Sequence, residues 1–242
     1  MENDIVSREE WLQARRALLS REKQETRLRD ENRAARRSLP WVRVDKQYLF
    51  ETADGNASLD DLFAGRSQLI VYHFMFGPDW DAGCTGCSFL CDHVDGTLPH
   101  LNNHDVTFVA VSRAPVDKLN AYKRRMGWHF PWVSSHGSDF NFDFQVSFSH
   151  DDLAGSEVFY NFTNLPANAA FDELPGLSAF YRNPEGEIFH TYSSYARGPE
   201  ELIGTLMILD RAPLGRNESA TMNFVKRHDE YEAPATGSCC SH

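Results

Sequence analysis

A run of eight mostly apolar residues, Leu69-Ile70-Val71-Tyr72-His73-Phe74-Met75-Phe76, predicts a buried central strand. Its length and its β-branched and aromatic content favour a strand over a helix. Val106-Thr107-Phe108-Val109-Ala110-Val111 predicts a second. Between them, residues 86–104 read as a helix, and residues 115–126 fit another with Pro115 in its first turn. Phe130 to Val133 is short and strand-like. Leu177 to Tyr181 and Glu187 to Tyr192 predict two more strands, joined by the turn Asn183-Pro184-Glu185-Gly186. Pro199 to Leu209 predicts a closing helix.

Upstream, residues 7–37 predict a long helix. Ser7 and Glu10 have the spacing of a capping box, and good helix formers dominate the run. Its apolar stripe is thin: Trp11, Leu12, Leu18, Leu19 and Leu28. Such a stripe suits a helix lying on the body or on a second copy in a homodimer, or else a solvated surface helix. Pro40 ends the segment. A strand fits 41–50, a turn fits Gly55-Asn56, and Ser58 to Phe63 reads as a short capped helical turn. Residues 137–170 show no clear period and read as an insertion. Residues 211–242 are polar and read as a mostly extended or disordered tail.

This order predicts an α/β fold, a mixed sheet with helices on both faces. The expected organisation is a helical extension over 1–40, one domain over 41–210 with the insertion inside it, and the tail over 211–242. The 242 residues are 41 % hydrophobic, enough for a sizeable core, which excludes a wholly disordered or collagen-like chain. There are 24 basic and 35 acidic residues, a formal charge of −11, so a duplex nucleic-acid partner is not expected. Residues 1–40 carry ten basic and eight acidic side chains, so the remainder is the acidic part. No stretch has the length of a membrane span, and the first residues lack a signal-peptide pattern. The expectation is a cytoplasmic protein without a membrane partner.

The five cysteines are clustered: Cys84, Cys87 and Cys91 within eight residues, then Cys239 and Cys240 near the end. An odd, clustered set argues for redox or metal chemistry over a disulfide framework. Cys84-Thr85-Gly86-Cys87 follows a predicted strand and opens a predicted helix. There the first thiol meets unpaired N–H groups that stabilise a thiolate, and the second lies within one turn. Cys84 is thus the expected nucleophile and Cys87 the resolving thiol. Asp79 and Asp81 upstream would oppose thiolate formation. Cys91 shares a helix face with Cys87 and is either a small buried residue or an auxiliary thiol. Cys239 and Cys240 are further auxiliary thiols, or an unstructured pair. A metal set of Cys84, Cys87, Cys91 and His93, holding copper or zinc, is the alternative. His93 itself reads better as a surface or capping histidine.

Several blocks in order resemble one family. They are Glu10-Trp11-Leu12 with Ala14-Arg15, Arg36-Arg37-Ser38-Leu39-Pro40-Trp41, Val71-Tyr72-His73-Phe74-Met75-Phe76 and Gly83-Cys84-Thr85-Gly86-Cys87-Ser88-Phe89. His190-Thr191-Tyr192-Ser193 with Ala196-Arg197-Gly198, and Arg227-His228-Asp229-Glu230-Tyr231, complete the set. The chain resembles the bacterial and fungal thioredoxin-like proteins known as domain of unknown function 899, described as predicted dithiol–disulfide oxidoreductases. The resemblance implies a thioredoxin-like fold acting on a protein or small-molecule disulfide or thiol, without a cofactor. In such folds a cis proline faces the cysteine pair and presents backbone to an extended substrate, a place that falls to Pro175 here. Thiol peroxidases of this fold carry Pro-x-x-x-Thr/Ser-x-x-Cys, but the matching places before Cys84 hold Gly77 and Asp81. Copper-delivery proteins use Cys-x-x-x-Cys, which Cys87 and Cys91 match. A scaffold without turnover is the third expectation.

Overall fold

The polar N-terminal run folds as one helix, α1 (Arg8–Arg37), in a computed structural model that describes residues 3–169 and 171–232. Ser7 caps it: its hydroxyl accepts the Glu10 N–H at 3.3 Å, and the Glu10 carboxylate accepts the Ser7 N–H at 2.9 Å. Arg15 pairs with Glu22 at 2.8 Å and Arg33 with Asp30 at 3.0 Å. No residue of α1 is buried. Among the described residues, those up to Trp41 form one compact unit and those from Val42 onward another.

The second unit is built on a sheet of eight strands. In chain order its elements are β1 (Val42–Arg43), β2 (Leu49–Thr52), β3 (Gly55–Ser58), β4 (Gln68–His73), α2 (Thr85–Cys91), α3 (Leu98–Asn103) and β5 (Val106–Ser112). Then come α4 (Val116–Met126), β6 (Trp132–Ser134), α5 (Phe140–Asp143), α6 (His150–Ala154), β7 (Glu157–Tyr160) and β8 (Thr163–Pro166). The chain finishes with β9 (Gly176–Arg182), β10 (Ile188–Tyr195) and α7 (Gly204–Leu209). The strand order is β1-β10-β9-β4-β5-β6-β2-β3. β4 runs parallel to β5 and antiparallel to β9, so Val71 faces Val109 on one side and Ser178 on the other. A strand, a helical crossover, a parallel strand and then an antiparallel hairpin against the first strand is the thioredoxin-like arrangement.

Alternation along the central strands sorts the core into two faces. Tyr72, Phe108, Ala110 and Trp132 pack with residues of α2, α4 and α7. Leu69, Val71, Val109, Val111 and Val133 pack with Phe50, Phe63 and Phe140. Helices therefore cover both faces, although the second has only the short α5 and a 3-10 turn, Asp61–Phe63.

The expected strand over 41–50 is two strands on distant places in the sheet. Only about 21 Å of chain separates Arg43 from Leu49, whereas six strand spacings of a flat sheet cover about 29 Å. The sheet therefore curls, and Tyr48 and Phe50 close over the second cluster. The expected helix over 86–104 is broken. Gly96 and Pro99 both disfavour helix interior, and the run splits into α2, a 3-10 turn at Asp95–Thr97, and α3 with its proline in the first turn. The insertion has structure of its own: α5, α6 and the β7–β8 hairpin, around Val146, Phe148, Val158 and Tyr160.

The tail is the largest correction. Residues 211–232 are not an extended appendage: Arg216 ties the first part to Glu200 and Asp210, and residues 222–230 pack on α2 and α4. Arg125 binds Asp229 at 2.7 Å and Glu230 at 3.0 Å, His228 meets Asp92 at 2.7 Å, and Phe224 lies edge-on to Phe89. Cys239 and Cys240 lie outside the described residues.

Candidate redox-active site

β4 ends at His73, and the chain then loops through Gly77–Gly83 to the cysteines. Several bonds fix that loop. Lys118 Nζ donates to the carbonyls of Pro78 and Trp80, each at 2.8 Å, and Trp80 Nε1 donates to Asp172 at 3.3 Å. The Cys84 N–H donates to the Met75 carbonyl at 3.0 Å. Gly83 has no room for a side chain: a Cβ there would stand 2.6 Å from the Phe74 ring.

Cys84 is the N-cap of α2, partly exposed, and Cys87 is buried one turn in. Both are free thiols, and they hydrogen-bond each other. That bond is the largest influence bringing the Cys84 thiol down to about 6, with N–H groups of Cys87 and Gly86 and the Arg227 charge assisting against burial. Burial pushes Cys87 the other way, well above the usual thiol range, and the proximity of Cys84 adds to this. Tyr72 and the Met75 N–H hydrogen-bond Cys87 from behind and favour its thiolate. Tyr72 is itself 3 % exposed and held neutral by burial.

Arg227 comes from the C-terminal segment. Its Nη2 donates to the Gly83 carbonyl and its Nε to the Tyr122 hydroxyl, both at 2.7 Å. Tyr122 meets the Ser88 hydroxyl at 2.9 Å, and Ser88 donates to the Cys84 carbonyl at 2.8 Å. A chain of hydrogen bonds thus runs from the tail to the backbone of the cysteine. Neither Tyr72 nor Arg227 was singled out by sequence reasoning as a site residue. A tyrosine in a buried strand is a signal, because its hydroxyl needs a partner. Arg227 gives none beyond lying in one of the family-like blocks.

Pro175 lies beside the end of β4, where Gly176 pairs with His73. The Leu174–Pro175 peptide bond is trans, against the expected cis form. The backbone is also not free for an extended substrate. The Leu174 N–H donates to Val146 at 2.8 Å, and the Pro175 carbonyl accepts the Tyr160 hydroxyl at 2.7 Å. The insertion supplies both partners.

The alternative metal set is not brought together. His93 donates from Nδ1 to the Phe89 carbonyl at 2.7 Å, and its Nε2 accepts the Thr205 N–H at 3.1 Å at the start of α7. It is a capping histidine, with both nitrogens engaged. Cys91 is fully buried in the apolar cluster, and its thiol is pushed up by burial. Among the described residues no three His, Cys, Asp or Glu side chains are placed to hold a metal ion. No helix among them is long and apolar enough to cross a membrane.

The fold and the paired thiols at a helix start define a thioredoxin-like protein. More particularly, the chain belongs to the family described as "Bacterial protein of unknown function (DUF899)", whose sequence model matches residues 1–231. No curated protein matches. Similar solved structures include a mutant of Xylella fastidiosa PrxQ, 16 % identical, covering 66 % of this chain and 88 % of that one, with a TM-score of 0.41. Peroxidoxin BcpB from Mycobacterium tuberculosis is 12 % identical over 71 % of this chain and 97 % of that one, with a TM-score of 0.41. Xanthomonas campestris peroxiredoxin Q is 14 % identical over 72 % and 98 %, with the same TM-score of 0.41. At these identities and scores the reaction has to be argued from this chain's own residues.

Proposed function

We propose that this protein is a dithiol–disulfide oxidoreductase working through Cys84 and Cys87. The observation that carries the reading is the opposite treatment of two adjacent free thiols. Hydrogen bonds from the Cys87 side chain and from the N–H groups of Gly86 and Cys87 stabilise a thiolate on partly exposed Cys84, while burial keeps the proton on Cys87.

The Cys84 thiolate attacks one sulfur of a substrate disulfide R–S–S–R. A Cys84–S–S–R bond forms, and RS⁻ leaves with the electron pair of the broken bond. Cys87 then loses its proton, which RS⁻ takes up, and attacks the Cys84 sulfur. The second RS⁻ leaves, so the substrate gains two electrons and the protein holds a Cys84–Cys87 disulfide. A thiol reductant regenerates the dithiol by the reverse exchange. Pro175 and the 77–83 loop form walls beside the sulfur in this reading.

The test is a redox titration of both cysteines by thiol trapping and mass spectrometry, with metal analysis of the same sample. A reversible two-electron couple without bound metal is expected. Stoichiometric copper or zinc with no disulfide at any poise would overturn the reading in favour of a metal-binding protein.

A further inference from the structure

The surroundings of Cys84 restrict what can reach it, and the restriction comes from two segments of the chain itself. The first is the insertion. An extended peptide adds to a sheet edge or an exposed backbone through its own N–H and C=O groups. At the junction before β9 two of those groups are taken: the Leu174 N–H is bound by Val146 and the Pro175 carbonyl by Tyr160. Tyr160 is itself held in place, since its hydroxyl oxygen accepts the Ala196 N–H at 2.7 Å. The bridge between Ser147 and Glu173 ties the same two stretches together once more.

The second is the segment 218–231, which forms a strap over the start of α2. Met222 adopts φ +58°, a conformation that a long side chain rarely takes. The Glu218 carboxylate holds it there by accepting the Met222 N–H at 2.7 Å. The result is that the Met222 methyl lies over Gly86. A Cβ on Gly86 would stand 3.3 Å from that methyl and 3.9 Å from the Cys84 sulfur. Beyond Met222 the strap is fixed by Arg227 on Gly83 and Tyr122, and by Asp229 and Glu230 on Arg125.

We infer that the insertion and the strap restrict Cys84 to low-molecular-weight disulfides and exclude disulfides carried on an extended or folded polypeptide. This rests on the dithiol–disulfide reading above. Arg227 is itself held in the strap, one bond from each of its three nitrogens reaching Tyr122, Glu230 and Gly83. Selection is therefore by size and backbone access. A compact disulfide approaches the sulfur end-on, whereas a polypeptide has to pass Met222 and finds the Leu174 N–H and Pro175 carbonyl already bonded.

The experiment uses the reduced full-length protein and two oxidants, 2-hydroxyethyl disulfide and insulin, with formation of the Cys84–Cys87 disulfide read by rapid quench, alkylation and peptide mass spectrometry. Per disulfide, the small oxidant is expected to react at least about tenfold faster, equivalent to about 1.4 kcal/mol of discrimination. Two variants open the strap. Met222→Gly removes the side chain over Gly86 and suits the positive φ, so it does not strain the backbone. Arg125→Ala frees Asp229 and removes one of the two arginines that hold Glu230. Both are expected to raise the insulin rate by about fivefold or more while the small disulfide changes less than about twofold. Circular dichroism and thermal melting confirm that each variant is folded. Equal rates for the two oxidants in the wild type, or equal acceleration of both in the variants, would overturn the size restriction. Failure of both oxidants to form the Cys84–Cys87 disulfide would instead overturn the oxidoreductase reading beneath it.

Discussion

Replacing Tyr72 by Phe tests the division of labour between the two thiols. Tyr72 lies on β4 under α2, is 3 % exposed, and hydrogen-bonds the Cys87 sulfur. While Cys87 holds its proton this bond is worth little, because a thiol is a weak acceptor. During ring closure the sulfur becomes a thiolate, and the bond becomes charge-assisted. Such bonds contribute about 1.5–3 kcal/mol. The buried position leaves no water to replace the hydroxyl, so the full loss falls on the closure step. Tyr72→Phe should therefore slow closure by roughly 10- to 100-fold. The ring still fills its place against Phe74, and stability should change by no more than about 1 kcal/mol.

The first step should be nearly unaffected, because the largest influences on Cys84 are the Cys87 side chain and the nearby N–H groups. Rapid mixing with 2-hydroxyethyl disulfide, acid quench and mass spectrometry separates the two steps. The mixed disulfide on Cys84 should accumulate in the variant and be transient in the wild type. Closure at the wild-type rate, or equal slowing of both steps, would refute the assignment of Tyr72 to Cys87.

Alkylation of Cys84 by iodoacetamide should rise with pH around a midpoint near 6, against about 8.5 for an ordinary thiol. Cys87→Ala should move that midpoint upward, since the Cys87 side chain is the largest cause of the shift. His73, buried between Phe140 and Phe144, is pushed down to about 3 by burial, so the native state binds fewer protons than the unfolded one between pH 3 and 6.5. Stability should accordingly fall with pH below 6.5, by up to about 4–5 kcal/mol, and the acid limb should be shallower in His73→Phe when followed by urea denaturation. Glu173 has the opposite sign: burial raises it to about 7, so its contribution is fullest below pH 4.5 and is lost as pH rises through 7. Glu173→Gln should flatten that fall, about 3 kcal/mol at most, in melts between pH 5 and 8. Gly83→Ala should destabilise the protein by about 1–3 kcal/mol, because the new methyl meets the Phe74 ring at 2.6 Å; an unchanged melting temperature would count against that packing.

Where local pattern and tertiary context agree, the elements were legible. β4, β5 and the β9–β10 hairpin follow from apolar runs bounded by turn residues, and α1 from its capping box and composition. Local pattern failed where a distant partner decides the outcome. Val42 and Leu49 belong to one apolar-looking stretch, yet one pairs with β10 and the other with β3, because the sheet curls. The segment 211–232 is mostly polar, so hydropathy places it in solvent. It is held instead by specific ion pairs and by Phe224 and Met222, whose partners lie on helices more than a hundred residues earlier in the chain.

The same distinction applies within the site. The Cys-x-x-Cys spacing at a strand-to-helix junction makes the location of the thiols legible, because covalent geometry and helix start are local. Their difference in acidity is not local. Burial alone would raise both thiols, and the upstream Asp79 and Asp81 led the sequence reading to expect an opposing carboxylate effect. The charge that acts on Cys84 most directly is instead Arg227, delivered from the C-terminal strap, and the group behind Cys87 is Tyr72, delivered from β4. The backbone around Pro175 follows the same logic. Its place beside the cysteine loop is readable from its position before a strand, but Val146 and Tyr160, which occupy its neighbouring N–H and C=O groups, come from the insertion with no clear period. In the proposed reaction the motif therefore specifies where electrons are exchanged, and residues outside it set which thiol attacks and how much room a substrate has.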